Sequence, residues 1–225
     1  MQAVILAAGK GKRLLPLTSE LPKPLIAVSG KPILAHILEA LPEIIDEVFI
    51  VIGYKGDLIS SHFSDKYGTR RLRYITQENH TGTAGALALV RPHLIGKFLL
   101  MCGDDIQGGE ALQEATQHPL ALIVAPHNDP SKFGVIEVSS DGTVIGLEEK
   151  PEMPKSNLVS TGSMVLDERI FAYEPKKQEN GEYYVTDQLA ALAREFPVQV
   201  ITQTMWIPIG YPEDIPKAEL YLKNI

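Results

Sequence analysis

Residues 3–13 read Ala3-Val4-Ile5-Leu6-Ala7-Ala8-Gly9-Lys10-Gly11-Lys12-Arg13. The apolar run from Ala3 to Leu6 has the character of a buried strand, and the loop behind it is rich in glycine and positive charge. Without a Cβ, glycine lets backbone N–H groups come close to phosphate oxygens, so the loop is a candidate phosphate cradle. Two better-known cradles are excluded. A G-x-G-x-x-G dinucleotide fingerprint would need glycine where Leu14 stands, and no G-x-x-x-x-G-K-[ST] run occurs in the chain.

Working outward, Pro22 and Pro24 flank Lys23. The second proline is expected to push Lys23 into extended or polyproline geometry, a stiff strut that aims an ammonium group. Pro32 opens a pattern in which Ile33, Leu34, Ile37, Leu38 and Leu41 recur at helical spacing. Val48 to Ile52 is a second buried strand, Gly56 to Phe63 a helix and Leu72 to Thr76 a strand, and Thr81 is placed to cap a helix through Val90. Phe98 to Cys102 is a further buried strand that ends in Gly103-Asp104-Asp105. This alternation predicts an α/β fold with a mainly parallel central sheet, helices on both faces, and ligands at the carboxyl ends of the strands. Phe133 to Val138 and Thr143 to Leu147 flank the hairpin turn Asp141-Gly142, and Asp187 to Phe196 and Asp214 to Leu222 read as amphipathic helices. With no internal repeat and no long linker, residues 1–225 are expected to form a single domain.

The chain carries 21 lysines and arginines against 28 aspartates and glutamates, a formal net charge of −7. Residues 1–31 run the other way, with Lys10, Lys12, Arg13, Lys23 and Lys31 against Glu20 alone. A basic island in an acidic chain suits a small polyanion, and the overall balance speaks against a nucleic-acid partner. Cys102 is the single cysteine, which excludes an internal disulfide framework and a cysteine-built metal site; in its apolar strand it is expected to be a buried thiol. No apolar run approaches the roughly 18 residues that span a bilayer. The first apolar run precedes its positive charges, the reverse of a secretory signal, so no membrane association and a cytoplasmic location are expected. The histidines lack metal-ligand spacing, and no serine sits in a G-x-S-x-G elbow.

Taken together, Leu6 through Leu14, Pro16-Leu17-Thr18, Pro22-Lys23-Pro24-Leu25 and Lys31-Pro32 closely resemble the signature of the sugar-1-phosphate nucleotidylyltransferases. The likeness continues in Gln77-Glu78 with Gly82-Thr83-Ala84, in Gly103-Asp104-Asp105, and in Glu149-Lys150-Pro151 followed by Thr161-Gly162. Glu182 to Asp187 and Trp206 to Asp214 resemble the closing elements of that family, so the match runs over nearly the whole chain.

This resemblance implies a Rossmann-like nucleotide-diphospho-sugar transferase fold. It also implies attack of a hexose-1-phosphate oxygen on the α-phosphorus of a nucleoside triphosphate, with pyrophosphate expelled. Arg13, Lys23 and Asp104 would be the catalytic residues, with Asp104 holding Mg²⁺. Leu6, Ala8, Gly9, Gly11, Gln77 and Gly82 would bind the nucleotide, and Gly134, Glu149, Lys150 and Thr161 the sugar phosphate. Gln77 points to dTTP or UTP, with GTP next. The acceptor could instead be another phosphate such as phosphocholine, with a cytidylyl donor, and a regulatory nucleotide or sugar-phosphate binder without turnover is the different-class alternative. A homo-oligomer is compatible with all of these. The pattern breaks at Pro208, where the family places a second acidic metal ligand, and at Tyr211, which stands for a common threonine.

Overall fold

The computed structural model describes residues 1–224. The chain begins with β1 (Gln2–Ala7), a glycine-rich loop, and a small ribbon of β2 (Ala27–Val28) and β3 (Lys31–Pro32) that leads into α1 (Ile33–Ala40). Next come β4 (Glu47–Ile52), α2 (Gly56–Phe63), β5 (Lys66–Tyr67), β6 (Arg70–Thr76), α3 (Gly82–Val90) and β7 (Phe98–Cys102). The expected strands and helices of this half are all present. Beyond them lie β8 (Asp105–Gln107), α4 (Gly109–Ala115), β9 (Ala121–Pro126), β10 (Gly134–Val138), β11 (Val144–Glu149) and β12 (Leu158–Leu166). The described chain closes with α5 (Val185–Leu192), β13 (Gln199–Thr202), β14 (Trp206–Pro208) and α6 (Asp214–Leu222).

The central sheet runs β11-β10-β12-β7-β1-β4-β6-β5, with β9 paired to β12 and β13 to β9. Its heart is parallel: β7, β1, β4 and β6 all point the same way. β12 enters antiparallel against β7, and β10–β11 form the antiparallel hairpin around Asp141-Gly142. Alternation along β1 sends Ala3, Ile5 and Ala7 into one core and Val4 into another. The first core is covered by α1 through Ile33, Leu34, Ile37 and Leu38, and the second by α3 and α5 through Leu87, Val90, Leu189 and Leu192. Helices therefore lie on both faces, as the alternation predicts.

Three expectations are corrected. Lys23 opens a short 3-10 turn, Lys23–Leu25, and the extended conformation belongs to Pro22 before it; the turn closes on the Pro22 carbonyl, which accepts from the Leu25 N–H at 2.9 Å. Thr81 precedes α3 but its hydroxyl does not cap it, because Thr81 Oγ1 accepts from Gln77 Nε2 at 3.1 Å. The helix expected over Asp187 to Phe196 starts at Val185, whose N–H donates to Thr83 Oγ1 at 3.0 Å, and ends at Leu192.

β9, β12 and β13 go beyond what the pattern shows. In β12 the apolar run is broken by Ser160-Thr161-Gly162-Ser163, and the ladder to β9 shifts register between Ser160 and Ser163. The Thr161 carbonyl and the Ser163 hydroxyl oxygen find an internal donor. Buried Gln107 donates to the Thr161 carbonyl at 3.1 Å and to Ser163 Oγ at 2.9 Å. A buried polar strand is stable only when its groups are paired in this way.

Candidate functional site

β1 and β7 are adjacent and parallel, with Leu6 beside Cys102, so the loops leaving both strands emerge on the same edge of the sheet. The Gly103 N–H donates to the Leu6 carbonyl at 2.9 Å, and a Cβ at Gly103 would lie 2.9 Å from that same oxygen. Glycine is therefore needed for the two loops to meet. Between them opens a cavity of about 360 Å³. Leu6, Ala8, Gly9, Gly11, Arg13, Lys23, Gln77, Gly82 and Asp104 all line it, so nucleotide-side residues far apart in sequence share one wall.

The glycine-rich loop is tied down from several directions. Gly11 has φ +58°, and a Cβ there would come 2.9 Å from Thr18 Cγ2 and 3.3 Å from Lys23 Cβ. Buried Thr18 donates its hydroxyl to the Gly11 carbonyl at 2.9 Å, Tyr54 donates to the Thr18 carbonyl at 3.0 Å, and Lys55 Nζ donates to the Ser19 and Glu20 carbonyls. Thr18 was visible in the motif; Tyr54 and Lys55 carried no signal, because they reach the loop from a neighbouring strand end.

Lys23 is only 6% exposed, yet its ammonium sits at the cavity wall 2.9 Å from Asp104 Oδ2 and 4.0 Å from Asp105 Oδ1. Removing a lysine from water is costly without paired charge, and these two carboxylates supply it. They differ in role. Asp104 lines the cavity with its carboxylate partly exposed. Asp105 is held away from the cavity, accepting from Trp206 Nε1 at 3.1 Å and from the Ile209 N–H at 3.1 Å. Burial, reinforced by the Asp104 charge and opposed by Lys23, raises the Asp105 pKa above the usual carboxylate range. Pro208 stands directly across the β8–β14 ladder from Asp105.

Gln77 is buried and its amide is oriented by acceptors. Its Nε2 donates to Thr81 Oγ1 at 3.1 Å and to the Gly82 carbonyl at 3.2 Å, which leaves Oε1 to act as an acceptor. Gly82, the first residue of α3, has φ +82°, and a Cβ there would lie 2.4 Å from the Tyr183 carbonyl oxygen. Its N–H belongs to the first turn of the helix, where the backbone donors lack helical partners. Gln77 and Gly82 both line the cavity.

The four sugar-phosphate candidates lie outside this cavity lining. Gly134 and Glu149 are directly paired across the β10–β11 ladder, and Thr186 Oγ1 is 3.4 Å from Glu149 Oε2. Lys150 has a left-handed backbone, φ +48°, and its ammonium lies 3.6 Å from Glu149 and 5.7 Å from the Tyr184 ring centre. Thr161 is buried, with its hydroxyl donated to the Ile123 carbonyl at 3.1 Å. Its neighbour Gly162 packs on Cys102, which is half-buried at the cavity wall rather than sealed in the core; desolvation still raises its thiol pKa.

Lys12, His80, Thr83, Glu182 and Gly210 also line the cavity and were given no role from sequence. Glu182 and Gly210 fall within motif segments already quoted, whereas His80 carries no signal of its own. Among the described residues no group of three histidine, cysteine or acidic side chains is placed to enclose a metal. Magnesium needs less than that, commonly one or two carboxylates with substrate phosphates and waters completing its octahedron. Asp104, a partly exposed carboxylate on the wall of the cavity, fits such a requirement.

A family model described as nucleotidyl transferase matches residues 2–224. A UTP–glucose-1-phosphate uridylyltransferase, AglF of Haloferax volcanii, is 36% identical over 236 residues, covering 100% of this chain and 97% of its own length. The bifunctional protein GlmU of Methanocaldococcus jannaschii is 36% identical over 225 residues, which is 99% of this chain and 54% of GlmU. The chain therefore spans about half the length of that relative. A solved structure described as a glucose-1-phosphate thymidylyltransferase from Bacillus anthracis superposes with a TM-score of 0.88 at 26% identity, covering 100% of this chain and 96% of the other. No helix among the described residues is long and apolar enough to cross a membrane.

Proposed function

Because the chain belongs to the nucleotidyl transferase family, we propose that it transfers a nucleotidyl group from a nucleoside triphosphate to a hexose-1-phosphate, giving a nucleotide sugar and pyrophosphate. The observation that carries this reading is one cavity wall holding phosphate-binding cations and a base-reading pair together. Gly9 and Gly11 amides with Arg13 receive the triphosphate, and Lys23 lies where the reacting phosphates converge. Lys150 and Glu149, on the β11 side, take the sugar phosphate and a sugar hydroxyl. The acceptor phosphate oxygen forms a bond to the α-phosphorus while the α–β bridging bond breaks, its electron pair leaving with pyrophosphate. Positioning and charge neutralisation are the protein's contributions to such a transfer. When bound, a magnesium ion supplies further charge neutralisation at the phosphates, and Asp104 is the residue that would hold it.

In this reading Gln77 Oε1 is the acceptor and the Gly82 N–H the donor for a base edge that sets a donor next to an acceptor. Uracil and thymine present that edge, and guanine does so through N1–H and O6. Cytosine also sets a donor, N4–H, next to an acceptor, N3, and satisfies the same pair. The reading favours dTTP or UTP, then GTP, because relatives of this chain are described as a UTP-dependent uridylyltransferase and a thymidylyltransferase, and CTP in the matrix below tests a cytidylyl donor. The single cysteine fits a reducing compartment such as the cytoplasm.

The test is pyrophosphate release across a matrix of nucleoside triphosphates and sugar-1-phosphates with Mg²⁺. Release that needs both a pyrimidine triphosphate and a hexose-1-phosphate is expected. Release without any sugar phosphate, or none with any pair, would overturn the proposal.

A further inference from the structure

Arg13 is exposed at the cavity mouth, and its guanidinium rests against an aromatic ring: Arg13 Cζ lies 5.4 Å from the centre of Tyr211. Among the described residues no carboxylate is paired with it. The ring is held from behind by an ordered set of bonds. Three successive backbone N–H groups are taken by two carboxylates: Ile209 by Asp105 at 3.1 Å, then Gly210 and Tyr211 by the same Asp214 oxygen at 3.0 and 2.8 Å. Asp214 opens α6, so the ring is carried on a helix start and a strand end rather than on a free loop. Gly210, next to Tyr211, itself lines the cavity with Arg13.

A guanidinium paired with a carboxylate would have to surrender that partner before it could grip phosphate. On a ring face it is attracted by the quadrupole while its in-plane N–H fork stays free for two oxygens. The loop that carries Arg13 is a single 3-10 turn, Lys12–Leu14, so the side chain needs such a rest to hold one direction. We propose that Tyr211 is a positioning residue that keeps Arg13 turned to the phosphate end of the cavity with its N–H fork unoccupied. This rests on the triphosphate reading of the site and adds a residue to it.

The test compares Tyr211→Ala and Tyr211→Phe, each with Arg13 intact and in an Arg13→Ala background. Calorimetric binding of inorganic tripolyphosphate with Mg²⁺ is read alongside the KM for the nucleoside triphosphate. An exposed cation–π contact corresponds to roughly a twofold to fivefold change in affinity. Tyr211→Ala should weaken tripolyphosphate binding and raise KM by that factor with little change in kcat, Tyr211→Phe should behave as the unaltered protein, and the alanine effect should vanish when Arg13 is absent. Unchanged binding in Tyr211→Ala, an equal loss in Tyr211→Phe, or a loss that persists without Arg13 would overturn the inference. If the unaltered protein turns over no substrate pair yet loses tripolyphosphate affinity in Tyr211→Ala, the catalytic reading falls and the positioning role stands. If it binds no tripolyphosphate, the positioning role falls.

Discussion

Lys23 shows how much chemistry one buried charge can carry. Its side chain is nearly sealed, and its ammonium is balanced mainly by Asp104 at 2.9 Å. A hydrogen bond to a charged group contributes roughly 1.5–3 kcal/mol, and more where it strengthens in the transition state. Lys23→Ala is therefore expected to lower kcat at least about tenfold to a hundredfold. Circular dichroism should show a folded protein; near-normal kcat would remove Lys23 from the chemistry. Asp104 leads to a second expectation. Asp105 is spent on Trp206 and Ile209, and Pro208 opposite it has no ligand atom in its side chain, so the free protein offers Mg²⁺ little besides Asp104. Calorimetry should find weak Mg²⁺ binding alone and tight binding with a non-hydrolysable triphosphate, both diminished in Asp104→Asn. Tight binding to the free protein would contradict a site that needs substrate oxygens.

Elements, and not residues singly, set the geometry proposed for base reading. The start of α3 depends on Gly82, whose φ of +82° and contact with the Tyr183 carbonyl leave no room for a side chain. Left-handed strain costs of order 1–3 kcal/mol before the clash is counted. Gly82→Ala should lower the melting temperature by several degrees, at roughly 2–4 °C per kcal/mol for a chain this size, and raise the KM for the triphosphate more than that for the sugar phosphate. Equal effects on both would detach this turn from base reading. The strand–loop–helix order through β7 and the glycine-rich loop were legible because their apolar runs are uninterrupted and their glycines fall at strand ends. β12 was not, since Ser160 to Ser163 interrupt its apolar run and partners on other strands, Gln107 and the Ile123 carbonyl, make that burial tolerable. The Lys23 turn was misread for a related reason. Pro24 restricts Lys23 locally, but the Pro22 carbonyl bond to Leu25 selects the turn. Asp105, Asp214 and Tyr211 stand in the quoted segments, but their contacts were not legible because they are made with backbone groups and with Arg13 across the fold.

At the scale of the whole molecule, one sheet is shared by early and late segments, with a core on each face. Such sharing should make unfolding one cooperative event. Calorimetry is expected to give a single transition with matching calorimetric and van't Hoff enthalpies; two resolved transitions would divide the chain into separate domains. Nucleoside triphosphate with Mg²⁺ at about 100 times its Kd should add about 2.7 kcal/mol and raise the midpoint accordingly. The placement of β12 also bears on synthesis. Leu99 and Leu100 of β7 find their outer partners only in Val165 and Met164. As the chain leaves the ribosome, β7 must wait with one row of amides and carbonyls unpaired while the whole stretch through β11 is translated. Any fragment that ends before β12 keeps that row open, as a seam along which nascent copies can join one another.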